Sequence, residues 1–257
     1  MSHPDQHPRR HSHWLAMLCL LCSVCGHASN RQDIQELRTL SYSVLENVLV
    51  YHNPQGSPFD SENATRYQVS LQRLHDHAAK LGRTDILEQT TRLAIAVAGL
   101  RNLPQSSTGI RTSIPPYSLW LLPIVEQQQK LVDKLGTLYA ETPSSSPVQQ
   151  ALNDLSQDVA RLSLSYQLAV FPQLMAQIWT LDEAGASALD ASIRQRFETL
   201  PRQYPEAAGT LEKLQRRYHF VHGHLAVPDK NVAPSAVERY LLSTSNDLDD
   251  LASRLSR

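Results

Sequence analysis

Residues 147–169 read PVQQALNDLSQDVARLSLSYQLA, and within them Val148, Leu152, Leu155, Val159, Leu162, Tyr166 and Ala169 recur at alternating steps of four and three. An α-helix turns once every 3.6 residues, so this spacing lines those side chains along one face, whereas a strand would need alternation at every second residue. Pro147 stands where a first helical turn tolerates a missing amide.

The same spacing extends in both directions. Toward the N-terminus it runs through Leu121, Ile124, Gln128, Leu131, Leu135 and Leu138, through Ile86, Thr90, Leu93, Val97 and Leu100, and through Tyr67, Leu71, Leu74, Ala78 and Leu81. It begins with Ile34, Leu37, Ser41, Val44, Val48 and Tyr51. Toward the C-terminus it continues through Leu189, Ile193, Phe197 and Leu200, then Ala207, Leu211, Leu214, Tyr218, Val221 and Leu225, then Val237, Leu241, Thr244, Leu248, Leu251 and Leu255. Eight amphipathic helices follow, most about 20 residues and so about 30 Å long. No segment alternates with period two, so the expected fold is all-α: an elongated antiparallel multi-helix bundle without sheet.

Boundary residues agree. Asp60 or Ser61 suits the cap of the second helix, Gly82 a left-handed stop, and Thr84 or Asp85 the cap of the third. Pro123 and Pro172 fall inside the fourth and fifth patterns and should kink or divide them. The segment Thr142 to Pro147, rich in Pro and Ser, is the best linker, which allows sub-bundles over 29–141 and 147–257 within one domain, 29–257. With alternating helices, the short turns at Gly82-Arg83, Thr142 to Ser146 and Pro201 to Tyr204 share one end. The longer connections Asn53 to Phe59, Leu103 to Pro116 and Val227 to Ala233 share the other, where loops carried by a rigid scaffold tend to hold function.

Residues 1–28 read differently. Arg9 and Arg10 precede the apolar run Trp14 to Val24, and Gly26 and Ala28 are small residues suited to a signal peptidase. The run is shorter than the roughly 20 residues that span a bilayer, so a cleaved secretory signal is expected, with a mature chain from Ser29, no transmembrane segment in it, and a periplasmic or secreted location. His11-Ser12-His13 follows the arginine pair where a twin-arginine signal expects apolar residues. All three cysteines, Cys19, Cys22 and Cys25, leave with the signal. Neither a thiol nucleophile nor a disulfide then belongs to the mature protein.

The net charge is −1 for the whole chain, and losing Arg9, Arg10 and Asp5 takes it to −2. Such a balance carries no nucleic-acid footprint and no polybasic lipid patch. Motifs for catalysis are also missing: there is no Gly-x-Ser-x-Gly elbow, no phosphate-cradling glycine loop and no His-Glu-x-x-His. No cofactor is implied.

Two residue sets stand out. His219, His222 and His224 close the seventh helix, His219 and His222 share a face, and His52 ends the first helix at the same end of the bundle; together they form a candidate metal set. Phe59, Tyr117, Trp120 and Trp179 fall near the long-connection end and form a candidate partner or ligand surface, because such rings bury large area while keeping a polar edge. The expected function is an exported, non-catalytic helical protein that binds a protein partner of the cell envelope or a small ligand, as an accessory factor of envelope assembly, secretion or signalling would. The alternatives are a periplasmic metal-binding protein built on the histidines, or an enzyme without a recognisable motif.

Overall fold

The computed structural model describes residues 12–53 (backbone alone up to 30), 61–102, 120–144, 146–171, 174, 181–225 and 233–256. They form eight α-helices: α1 (Ser12–His52), α2 (Ser61–Leu81), α3 (Thr84–Ala98), α4 (Leu122–Glu141), α5 (Pro147–Ala169), α6 (Glu183–Gln203), α7 (Ala208–Leu225) and α8 (Pro234–Leu255). Short 3₁₀ turns follow α3 at Gly99–Asn102 and precede α7 at Pro205–Ala207. No strand occurs among the described residues, and no described helix is long and apolar enough to cross a membrane.

Local chemistry explains most boundaries. Gly82 takes φ +72°, a left-handed conformation that costs a residue with a Cβ, and so stops α2. Ser146 caps α5 by accepting from the Gln149 amide at 3.3 Å, and Asp182 caps α6 by accepting from Gly185 at 2.7 Å. Three expectations shift. Arg83 occupies the cap position of α3 in place of Thr84 or Asp85 and makes no side-chain capping bond; its guanidinium instead holds the Asp85 carboxylate at 3.1 Å. Pro123 does not kink α4, because the helix starts at Leu122 and leaves that proline in the first turn, where no intrahelical acceptor awaits its amide. Pro201 lies inside the last turn of α6, which runs on to Gln203, so the turn there shortens to Tyr204. Asp60 and Pro172 lie outside the described residues, and α5 ends at Ala169 before reaching the latter.

The apolar stripes build two cores. One joins α1 to α4 with part of α5, through residues such as Ile34, Leu45, Leu74, Leu93, Leu131 and Leu164. The other joins α5 to α8, through Leu155, Phe197, Leu211, Tyr218 and Leu241. Helix α5 serves both. Helix α1 gives its apolar side chains to the first core alone, yet it packs against α2, α4, α5 and α8, and every residue from 39 to 50 is buried. A helix enclosed on all sides is a hub, and its polar residues must find partners inside the protein.

Candidate functional site

Three helices meet between the two cores, and each presents a second stripe at the same four-and-three spacing. On α5 it is Gln149, Asn153, Ser156, Ala160, Ser163 and Gln167; on α8 it is Glu238, Leu242, Ser245, Asp249 and Ala252; on α1 it includes Gln32, Gln35, Thr39, Tyr42 and Glu46. All of these are buried. The stripe is mostly hydroxyl, amide and small side chains, so α5 and α8 approach closely: Ser156 donates to the Ser245 carbonyl at 3.0 Å and Ser245 returns a bond to the Ser156 carbonyl at 3.1 Å.

Three carboxyls sit inside this seam, those of Asp249, Glu46 and Glu238. The Asp249 oxygens accept from Thr39 at 2.6 Å and Gln35 at 3.1 Å. Burial raises its pKa to about 7, although bonds from Thr39, Ser156 and Gln35 oppose the shift. Glu46 accepts from Ser163 at 2.5 Å; burial carries it well above the ordinary carboxylate range, with the Ser163 bond opposing and the nearby Glu238 reinforcing. Glu238 is raised by burial as well, but Arg66 reaches it at 3.1 Å while holding Glu62 at 2.6 Å, which favours its charged form. At the other end of the seam Arg31 donates to the carbonyls of Tyr139, at 3.0 Å, and of Thr142. Its guanidinium lies 3.8 Å from the Tyr139 ring centroid. A cation thus meets the negative end of α4, where helix carbonyls lack intrahelical partners. These polar groups hold helices in register, and the carboxyls of the seam are buried.

The long-connection end is where α1 stops and α4 begins. The His52 ring lies 4.7 Å from Trp120 and 4.8 Å from Tyr51, and Tyr51 lies 5.6 Å from Tyr67. The same end gathers the start of α8 and the end of α5, where Gln167 donates to the Pro234 carbonyl at 2.9 Å and the Ala233 amide to the Tyr166 hydroxyl at 3.2 Å. Of the four aromatic candidates, Phe59, Tyr117 and Trp179 lie outside the described residues. Trp120 is half-buried against the first core, so its ring contributes to packing as well as to any surface. The sequence places Trp120 and His52 at this end, but not their contact or the neighbouring Tyr51 and Tyr67 rings. The alternating stripes carried the signal, since Tyr51 ends one and Tyr67 starts the next.

Burial lowers the His52 pKa to about 4, so the ring stays neutral in the folded protein at physiological pH. A base with a depressed folded pKa contributes stability above its unfolded value, near 6.5, and loses it as pH falls through the folded value. His52→Phe keeps an aromatic ring against Trp120 without the titration. Its melting temperature is expected to fall less than that of the parent between pH 6.5 and 4; equal slopes in thermal melts would show that His52 is not what titrates.

The other histidines lie on α7. His219 and His222 have ring centroids 5.7 Å apart, and the Nδ1 of His222 stands 3.8 Å from Asp190. His219 and His224 are exposed. Among the described residues no three His, Cys, Asp or Glu side chains come together as a metal site.

One cleft, of about 230 Å³, opens on the first core between α4 and α5, with Tyr42 of α1 at its floor and Leu181 at its rim. No known protein family, curated protein or solved structure matches this chain. Its geometry therefore carries the functional reading.

Proposed function

We propose that this chain is an exported, non-catalytic helical protein that binds a partner of the cell envelope or a small ligand at the end where its long connections gather. One observation carries the reading. The carboxyls whose titration is most displaced, Glu46 and Asp249, are enclosed between α1, α5 and α8 and engaged by Ser163, Thr39 and Gln35, so they are spent on architecture. Catalytic carboxyls with shifted pKa values instead face a cleft that substrate enters. The aromatic rings that suit binding lie at the end of the bundle, beside the helix termini joined by residues 54–60 and 103–119.

Capture from envelope extracts of the native host, with the mature chain as bait, tests this. Deleting residues 105–113 should remove the captured partner while the helical circular dichroism spectrum and melting temperature stay close to the parent's, since loop backbone adds little to a packed core. Capture that survives this deletion but is lost on altering Gly82-Arg83 or Tyr204 would move the binding surface to the opposite end.

A further inference from the structure

Helices α4 and α5 each pack along α1, and the cleft between them has walls of Val125 and Val132 on one side and Leu164 and Leu168 on the other. Three polar side chains, Gln128, Tyr42 and Arg161, are among those that line the cleft. Gln128 interrupts the apolar run Ile124, Leu131, Leu135 and is only 3% exposed, yet its amide nitrogen has no hydrogen-bond partner within the protein. A buried donor left without an acceptor costs about 1–3 kcal/mol, so a side chain of this kind in a cleft wall needs a reason. The Tyr42 hydroxyl accepts from the Gln157 amide at 3.0 Å, which leaves its own proton to donate. Arg161 adds a guanidinium with 41% of its side chain exposed, only loosely held by Asp158 at 3.7 Å.

A trough with apolar walls and polar side chains including an amide, a phenol and a guanidinium complements an acceptor-bearing anion on an aliphatic chain. Asp133 on the exposed rim opposes any anion, offsetting part of the attraction of Arg161, and opposes a phosphate more than a single carboxylate. The volume of about 230 Å³ lies below the roughly 300–1,000 Å³ of sites for drug-sized molecules, which limits the chain to medium length. We infer that the α4–α5 cleft is a binding site for a medium-chain aliphatic carboxylate, its head group held by Gln128, Tyr42 and Arg161. This site lies apart from the aromatic surface at the long-connection end and goes beyond the reading of that surface.

Calorimetric titration of the mature protein with octanoate, octanol and octylamine tests the assignment. Octanoate should bind, octanol at least about tenfold more weakly, and octylamine not at all, a tenfold change being about 1.4 kcal/mol. Gln128→Leu should weaken octanoate binding by about tenfold or more while raising the melting temperature, because it removes the donor that has no acceptor. Arg161→Gln, a change at the surface, should weaken it similarly with the melting temperature unchanged. Equal binding of all three compounds, no binding of octanoate at millimolar concentration, or undiminished affinity in both variants would each overturn the proposal. Partner capture that depends on residues 105–113 is measured independently of octanoate, so its survival alongside a failed titration would remove the cleft assignment alone.

Discussion

Replacing Asp249 by Asn is expected to stabilise the protein at pH 7.5 and to leave it unchanged near pH 4. The wild-type carboxyl is buried in the seam and its pKa stands at about 7, against an ordinary value near 3.9 in an unfolded chain. An acid whose folded pKa is raised contributes its full share of stability below the unfolded value and loses it as pH rises through the folded one. Between about pH 4 and 7 the unfolded chain releases this proton while the folded protein retains it, so folding grows less favourable by up to about 4 kcal/mol. Asparagine presents the same shape without ionising and keeps an oxygen for Thr39 or Gln35. In a domain of this size about 4 kcal/mol corresponds to a rise of roughly 10 °C in melting temperature at pH 7.5. His52 titrates in an overlapping window with the opposite sign, but it is common to both proteins, so the difference between their melting curves isolates Asp249. A constant difference from pH 4 to 7.5 would mean that Asp249 is ionised in the fold throughout.

Truncating Leu155 and Leu131 to alanine should each cost roughly 2–5 kcal/mol, since both are fully buried and their removal leaves cavities that the surrounding helices fill only in part. The two losses should be felt in different places. Leu155 belongs to the core of α5 to α8 and Leu131 to that of α1 to α4, and between the cores runs the polar seam. Several of its acceptor atoms, on Glu46, Gln149, Asn153 and Gln167, have no hydrogen-bond partner among the protein groups. Such a seam yields less free energy for the area it buries than an apolar interface does. Native-state hydrogen exchange should accordingly show Leu155→Ala exposing amides of α6 and α7 well before those of α2 and α3, and Leu131→Ala the reverse, because regions of lower stability open separately. Uniform loss of protection in both variants would show the seam to be as cohesive as the cores.

The candidate site was only partly legible. Trp120 could be placed at its end of the bundle from helix direction alone, and Gln128 could be marked as a polar break in an apolar face, but neither its missing acceptor nor the cleft beside it has a local signature. The metal reading of the histidines rested on spacing within α7, which does bring His219 and His222 side by side. Meeting His52 depended on packing between different helices, which spacing along one helix does not describe. The seam went unread for a related reason: Gln, Asn and Ser at regular spacing are equally at home facing water, and only their neighbours decide otherwise. One clue lay in α5, whose second stripe holds amides and hydroxyls but no charge, as suits a face that is buried rather than solvated.

Sequence by itself determined the helical class, the number of helices and the apolar face of each, because these follow from hydrophobic residues repeating at the period of the helix and from caps and prolines that act within a few residues of where they stand. Tertiary structure alone decided that α1 is a buried hub, that α5 contributes to both cores, and that Asp249 and Glu46 lie inside the molecule. Those properties belong to pairs of residues more than a hundred positions apart, such as Thr39 and Asp249, and a charged group pays for burial only through partners that the fold brings to it.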